Sequence, residues 1–179
     1  QMIGEGTIGR TGERFDLSGR AAIVTGGGQG LGAAACYGLA QHGAAVAVVD
    51  INSAGASSVA EAINTQGGKA VSIACDVTDE TQVEETVREA REALGPITVL
   101  VANAGIGDRN PAEELSIDQW ESVINVNLRG VWLFDRAVGV QMIEHDTGGS
   151  IINMGSIARQ VGSLTGHANY SASQGAVLA

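Results

Sequence analysis

The stretch "TGGGQGLG", Thr25–Gly32, decides the fold of this chain. It stands between a short apolar run, "RAAIVT", and an alanine-rich segment, "LGAAACYGLAQHG". The first pattern is typical of a strand that is buried on both faces, and the second of a helix that ends at Gly43. A strand, a glycine turn and a helix in this order form the beginning of a βαβ unit.

The same alternation continues along the rest of the chain. Further buried strands are predicted for "AAVAVVD", "KAVSIACD", "PITVLVANAG" and "SIINMGS". Helices are predicted for "AGASSVAEAINTQGG", for "TDETQVEETVREAREALG" with Thr78 as N-cap, for a long segment from Ser116 to the pair Gly148–Gly149, and from Tyr170 onward. Strands that alternate with helices predict an α/β fold, a Rossmann-like doubly wound parallel sheet with right-handed crossovers.

Length, composition and charge narrow the class of protein. A chain of 179 residues with 44% apolar residues is typical of one globular domain. Residues 1–18 are rich in glycine and charge, so we predict an N-terminal arm there and the domain over residues 19–179. A net charge of −10 argues against nucleic acid or an anionic membrane surface as a partner. No signal peptide or membrane-spanning run is visible, so a cytoplasmic protein is expected.

The cysteines and histidines predict no special chemistry. Cys36 and Cys75 lie within apolar runs, which favours free buried thiols in a reducing compartment over a disulfide. The three histidines are far apart in the sequence, and their spacing does not match that of metal ligands. We therefore predict no metal site.

The glycine turn has the features of a dinucleotide-binding turn. Glycine at positions 26, 30 and 32 would let the backbone turn tightly and approach a pyrophosphate, which the N-terminus of the following helix would bind. The spacing G-x-x-x-G-x-G departs from the usual G-x-G-x-x-G of the dinucleotide fold. The alternative is a tight strand-to-helix connection that binds no ligand.

Asp50 is the predicted selector of the cofactor. It ends the second strand, and its carboxylate can accept hydrogen bonds from the adenosine ribose hydroxyls while repelling the 2′-phosphate of NADP. No arginine or lysine occurs in residues 51–60 to neutralise such a phosphate. This favours NAD; the alternative is that Asp50 caps the next helix.

With these residues in place, residues 18–179 resemble the short-chain dehydrogenase/reductase family. "TGGGQGLG" matches the family's T-G-x-x-x-G-x-G turn, "CDVTD" its acidic motif after the third strand, and "ANAG" its N-N-A-G motif except at the first residue. "VINVNLRG", "INMGSIA" and "YSASQ" correspond to its active-site motifs. All six occur in the family's order on the expected elements.

The resemblance implies an NAD-dependent oxidoreductase that interconverts a secondary alcohol and a ketone, with a sugar or polyol favoured over a 3-oxoacyl thioester or a hydroxysteroid. Tyr170 would exchange a proton with the substrate oxygen, Ser156 would orient that oxygen, and Asn127 would hold a water in a proton relay. Together with Gln174 these are the predicted catalytic residues. The predicted cofactor-binding residues are Gly26, Gly28, Gln29, Gly30, Leu31, Gly32, Asp50, Ile51, Asp76, Val77, Asn103, Ala104, Gly105, Tyr170 and Gln174. Family members commonly form homo-tetramers or homo-dimers through the helices that contain Asn127 and Tyr170.

Gln174 departs from the family pattern, which has a lysine four residues after the tyrosine. A phenol ionises near pH ~10, so a proton-transfer tyrosine needs its anion stabilised, and a neutral amide lacks the charge to do so. We expect NAD binding to be kept and turnover to fall by about two to three orders of magnitude. The alternative is a non-catalytic NAD-binding protein. Gln174 is equally compatible with a natural replacement, an introduced substitution and a misassigned residue.

The end of the chain carries two further expectations, one on the loop before Tyr170 and one on what would follow Ala179. Arg159, Gln160 and His167 precede Tyr170 and are expected to be solvated loop residues, with contact to a polar substrate as the alternative. The resemblance implies two further strands beyond Ala179. We therefore expect the C-terminal part of a longer protein to be missing here, which would leave the fifth strand at an uncovered edge.

Overall fold

Five parallel strands form one sheet in the order β3-β2-β1-β4-β5 in the computed structural model of the protein. The structure describes residues 15–107, 109–159 and 166–179. The strands are β1 (Ala21–Thr25), β2 (Ala45–Asp50), β3 (Lys69–Ala74), β4 (Ile97–Ala102) and β5 (Ser150–Asn153). The α-helices are α1 (Gly30–Gln41), α2 (Ser53–Thr65), α3 (Glu80–Leu94), α4 (Ile117–Ile124), α5 (Gly130–Glu144) and α6 (Ala168–Leu178). The predicted Rossmann-like doubly wound fold is confirmed.

The strand order determines where a ligand can bind. From β1 the chain builds outward to β2 and β3 on one side, and then crosses back to place β4 and β5 on the other side. In open parallel sheets, the crevice at the carboxyl ends of the strands where this reversal occurs is the usual ligand site. Here that crevice lies beyond Thr25 of β1 and Ala102 of β4, where the glycine turn and "NAG" begin.

Small aliphatic side chains build a core on each face of the sheet. Alternate residues of β1 point to opposite sides: Ala22 and Val24 pack with α1 and α2, whereas Ala21 and Ile23 pack with α3 and α5. Because both faces are covered, the central strands read as nearly continuous apolar runs, which is what made them predictable.

Both cysteines are free and buried, as predicted. Burial raises the pKa of the Cys36 thiol to about 12. Burial is also the main cause that raises the pKa of Cys75. Thiols that resist ionisation are poor nucleophiles, so these side chains act as small apolar core residues.

The long helix predicted from Ser116 to Gly148–Gly149 is wrong in two respects. Ser116 does cap it, but a π-helical segment at Asn125–Arg129 separates α4 from α5. The helix also ends at Glu144, before the two glycines, because Asp146 adopts a left-handed φ of 49° and Thr147 N–H donates back to the Met142 carbonyl. Periodicity alone does not distinguish the wider π turn from an α turn.

The predicted N-cap of α3 is also wrong. Asp79, not Thr78, accepts the hydrogen bond from Gln82 N–H, and the helix begins at Glu80. Thr78 is engaged elsewhere, because its N–H and its hydroxyl both donate to Asp76 Oδ1, at 2.9 and 2.8 Å. A turn built by the aspartate therefore delays the start of the helix.

The strand β5 lies at one edge of the described sheet. Within the described part of the chain this strand pairs only with β4, and all four of its residues are exposed.

At the other end of the chain, Leu17 N–H donates to the His42 carbonyl, and the Leu17 side chain packs against the core. The rest of the predicted arm, residues 1–14, lies outside the described residues. None of the described helices is both long and apolar enough to cross a membrane.

Candidate active site

The glycine turn after β1 is packed so tightly that side chains are excluded. Gly26 has a left-handed φ of 63°, and a Cβ there would lie 2.9 Å from Ala104 Cα. A Cβ on Gly32 would lie 2.6 Å from Asn103 Nδ2. Glycine is therefore required at both positions for the turn to rest against the segment that follows β4.

The start of α1 is built to receive an anion. Gln29 occupies its N-cap without a side-chain capping hydrogen bond, and no acidic residue lies in the first turn. Exposed amides at a helix N-terminus bind phosphate groups. A Cβ on Gly30 would meet no atom within 4 Å, so the space above the turn is open. Leu31 in the first turn of α1 and Ile51 directly after Asp50 are both 73% exposed, so each offers apolar surface to a ligand. These features fit a dinucleotide.

Asp50 is held by backbone amides at the edge of the same turn. Its Oδ2 accepts from Gly28 N–H and its Oδ1 from Asn52 N–H, each at 2.9 Å. The alternative that Asp50 caps the next helix is wrong, because Asn52 is the N-cap of α2 and accepts from Gly55 N–H. Each carboxylate oxygen retains a lone pair for another donor, such as a ribose hydroxyl.

Thr25 ties the ends of β1 and β4 together. Its hydroxyl oxygen accepts from the N–H groups of Asn103 and Ala104, both at 3.0 Å. Asn103 Nδ2 donates in return to the carbonyls of Thr25 and Gly26. Thr25 is 2% exposed, so this bonding role belongs to a buried side chain. The role was not predicted, although a threonine directly before the glycine turn was a usable signal in the sequence.

A cleft of about 410 Å³ opens where these elements meet α6. The predicted site residues that line it are Leu31, Asn103, Ala104, Gly105, Asn127, Tyr170 and Gln174. Other lining residues that the sequence did not single out as site residues include Ile106, Gly107, Arg109 and Met154. His167 also lines it, in line with the alternative of contact to a polar substrate. The structure therefore brings the glycine turn, the segment after β4 and the tyrosine helix to one cleft.

Asn127 anchors the loop after β4. It lies in the π-helical segment, is 1% exposed, and exchanges two hydrogen bonds with the backbone of Ile106, at 2.8 and 2.9 Å. Its Nδ2 also donates to Ser173 Oγ of α6, at 3.2 Å. Segments of π-helix often occur at functional sites. Here the segment places the buried Asn127 amide so that it bonds both to the loop after β4 and to α6. The predicted water relay through Asn127 stays a prediction.

Tyr170 and Gln174 lie one turn apart on α6. A Cβ on Gly107 would lie 3.8 Å from Tyr170 Cδ2, so the loop after β4 passes beside the phenol ring. Gln174 is only 6% exposed, and its buried Oε1 accepts no hydrogen bond within the described structure. A buried acceptor without a donor is rare, and in a cleft it suggests that a ligand supplies the donor.

Ser156 does not line the cleft, although its neighbour Gly155 does. Its hydroxyl oxygen accepts from Ala158 N–H at 3.2 Å, at the start of the 3₁₀ turn Ile157–Arg159. Gln160 lies outside the described residues. The predicted contact between Ser156 and the substrate oxygen stays a prediction.

The two acidic-motif residues also lie away from the cleft. The Asp76 carboxylate accepts from Thr78, and Val77 is buried against Gly130, where a Cβ would lie 2.8 Å from Val77 Cγ2. Val77 thus fixes the position of α5. The proposed contact of both residues with adenine stays a prediction.

The family model described as short chain dehydrogenase matches residues 20–179. Among curated proteins, a D-threitol dehydrogenase of Mycolicibacterium smegmatis is 40% identical over 164 residues, which are 92% of this chain and 62% of the relative. A 5-keto-D-gluconate 5-reductase of Escherichia coli is 36% identical over 163 residues, which are 91% of this chain and 63% of the relative. The chain thus spans less than two thirds of the length of these relatives.

A solved structure agrees with the fold. A putative NAD(P) dependent gluconate 5-dehydrogenase from Beutenbergia cavernae, with NADP bound at low occupancy, superposes with a TM-score of 0.84 at 37% identity. The match covers 92% of this chain and 64% of that one.

Proposed function

This chain belongs to the short-chain dehydrogenase/reductase family, and from that premise we propose that it interconverts a secondary alcohol and a ketone by hydride transfer with NAD. The observation that carries this proposal is the single cleft shared by the glycine-turn residue Leu31, the post-β4 residue Asn103, and Tyr170 with Gln174 on α6. A binding turn alone would support only a nucleotide-binding protein. Tyr170 in the same cleft adds a phenol that can transfer a proton.

Each part of the site has a separate task in this proposal. When bound, the nicotinamide dinucleotide supplies the hydride donor or acceptor. The amides at the start of α1 bind its pyrophosphate, and Asp50 accepts hydrogen bonds from ribose hydroxyls. Tyr170 gives a proton to the substrate oxygen or takes one from it. The unpartnered Oε1 of Gln174 accepts from a ribose hydroxyl or an ordered water.

The names of the two curated relatives support a polyol or a sugar acid as the substrate class. Both relatives are named for open-chain, hydroxyl-rich compounds. A cleft lined by the buried amides of Asn127 and Gln174 and by the half-buried Tyr170 suits a ligand with several hydroxyls. A homo-tetramer or homo-dimer also stays a prediction, supported by exposed apolar side chains at Trp132 and Ile143 of α5.

The proposed activity is tested by following NADH formation at 340 nm with NAD, D-threitol and D-gluconate, beside a direct titration of NADH fluorescence. We expect saturable NADH binding and slow, enzyme-dependent NADH formation with at least one of the two alcohols. A second candidate function, a non-catalytic NAD-binding protein, is favoured by the neutral Gln174. It predicts the same NADH binding with no hydride transfer above the protein-free rate.

Asp50 is expected to make the protein prefer NADH over NADPH by about tenfold or more, because a carboxylate beside the ribose repels the 2′-phosphate. Replacement Asp50→Ser should narrow that preference to within about threefold, since the repelling charge is lost. Asp50→Asn is the matched variant, because its side-chain oxygen can still accept from Gly28 N–H while the charge is absent. Fluorescence titrations with both nucleotides measure the ratio. Tighter binding of NADPH to the unmodified protein would contradict the assignment of NAD.

A further inference from the structure

Arg109 is the one fixed positive charge among the described residues that line the cleft, and no aspartate or glutamate of the described chain lines it. This is unusual for a chain with 20 acidic and 10 basic residues and a net charge of −10. The net negative charge of the chain repels anions from most of its surface. The positive charge of Arg109 makes the cleft an exception, so an anion is attracted there. Gln174 adds no charge of its own.

Arg109 is also not neutralised by the rest of the described structure. Two arginines are engaged with glutamates: Arg88 of α3 pairs with Glu92, and Arg136 of α5 pairs with Glu80. Arg109 makes no ion pair with any described residue, and it lines the cleft while it remains exposed to solvent. Its guanidinium therefore keeps all of its donors for a ligand.

A second donor lies on the facing segment. His167, directly before α6, also lines the cleft, and its ring centroid is 6.1 Å from that of Tyr170. His167 Nδ1 is buried and has no hydrogen-bond partner within the described structure. The two segments touch, because Gly166 packs directly on the backbone of Asn110. Arg109 and His167 therefore flank the same end of the cleft, beside the phenol.

We propose that Arg109, assisted by His167, binds an anionic substituent of the substrate while the Tyr170 hydroxyl contacts the reacting oxygen. The inference rests on the proposed function and specifies its substrate class. The preferred substrate is an acidic polyhydroxy compound that carries a carboxylate or a phosphate, and a neutral polyol of the same length binds less well. Guanidinium groups bind both anions through paired N–H donors.

The experiment measures binding to the NADH-saturated full-length protein, in which an alcohol cannot be oxidised. Three open-chain ligands of equal carbon number are compared by calorimetry: D-gluconate, D-glucitol 6-phosphate and neutral D-glucitol. The variants are Arg109→Gln and, as a matched control, Arg88→Gln, whose arginine lies on α3 away from the cleft. Each titration is repeated at low and high ionic strength.

At low salt we expect at least one of the two anions to bind about tenfold or more tightly than D-glucitol. This preference should vanish in Arg109→Gln, persist in Arg88→Gln and shrink at high salt. The stronger of the two anions then identifies the substituent as carboxylate or phosphate.

Two results overturn the inference while leaving the proposed function intact: NADH binds but neither anion exceeds D-glucitol, or the preference survives Arg109→Gln. Failure of NADH itself to bind contradicts the proposed function, and the inference falls with it.

Discussion

The Gln174→Lys variant is expected to form NADH from its alcohol substrate about 100- to 1000-fold faster than the unmodified protein near neutral pH. Residues four apart on a helix face each other, so an ammonium at position 174 lies beside the phenol of Tyr170. A nearby positive charge stabilises the phenolate and so lowers the pKa of the phenol. Each unit by which this pKa falls corresponds to ~1.4 kcal/mol of phenolate stabilisation.

The burial of position 174 makes this effect large. Gln174 is 6% exposed, so a charge there acts through a medium of lower effective dielectric than water. Burial strengthens the attraction between the lysine ammonium and the phenolate, but it also disfavours the charged form of the lysine. When the phenolate of Tyr170 forms, its negative charge offsets this desolvation cost. We therefore expect the variant's rate to reach its plateau at a lower pH than the rate of the unmodified protein.

Initial rates with saturating NAD, measured from about pH 6 up to the ~10 at which a free phenol ionises, report both effects. Gln174→Met is the matched control, since it fills a similar volume without a charge or a strong acceptor, and it should give no gain. Equal rates for the Lys and Gln proteins at every pH would show that the charge at this position does not limit proton transfer.

Tyr170→Phe, made in the Gln174→Lys background, is expected to lower the rate about 100- to 10,000-fold, which is the usual contribution of a positioned acid or base. The phenyl ring keeps its contacts beside Gly107 and His167, whereas the hydroxyl is lost. NADH affinity should change by less than about threefold, because an exposed or half-buried hydroxyl contributes little to binding. The drop therefore reports loss of proton transfer.

Tyr37→Phe is the matched control, because Tyr37 lies on α1 and packs against the core away from the cleft. It should leave the rate unchanged. If Tyr170→Phe retains most of the activity, the proton is handled by another group, of which His167 is the nearest titratable ring in the described cleft. In that case the role assigned here to the phenol is wrong.

The sequence by itself determined the fold class and the place of the nucleotide site. Strands covered on both faces must be apolar along their whole length, so runs such as "AAIVT" and "AAVAVVD" were readable without a structure. The glycine turn was readable because its glycines are visible in the sequence itself. The atoms that exclude a side chain at Gly26 and Gly32 include those of Asn103 and Ala104, which are distant along the chain. Burial of the two cysteines followed from the same apolar runs.

Only the tertiary structure decided how the site is assembled. Asn127 bonds to Ile106 and Thr25 bonds to Asn103, although these partners are distant along the chain. Arg109, His167 and Tyr170 line one cleft. The sequence pattern also did not predict the π-helical segment at Asn125–Arg129 or the capping of α3 by Asp79. Periodicity and spacing report which face of an element is buried. Which polar groups form hydrogen bonds with each other depends on how the elements pack, and this packing is determined only in the tertiary structure.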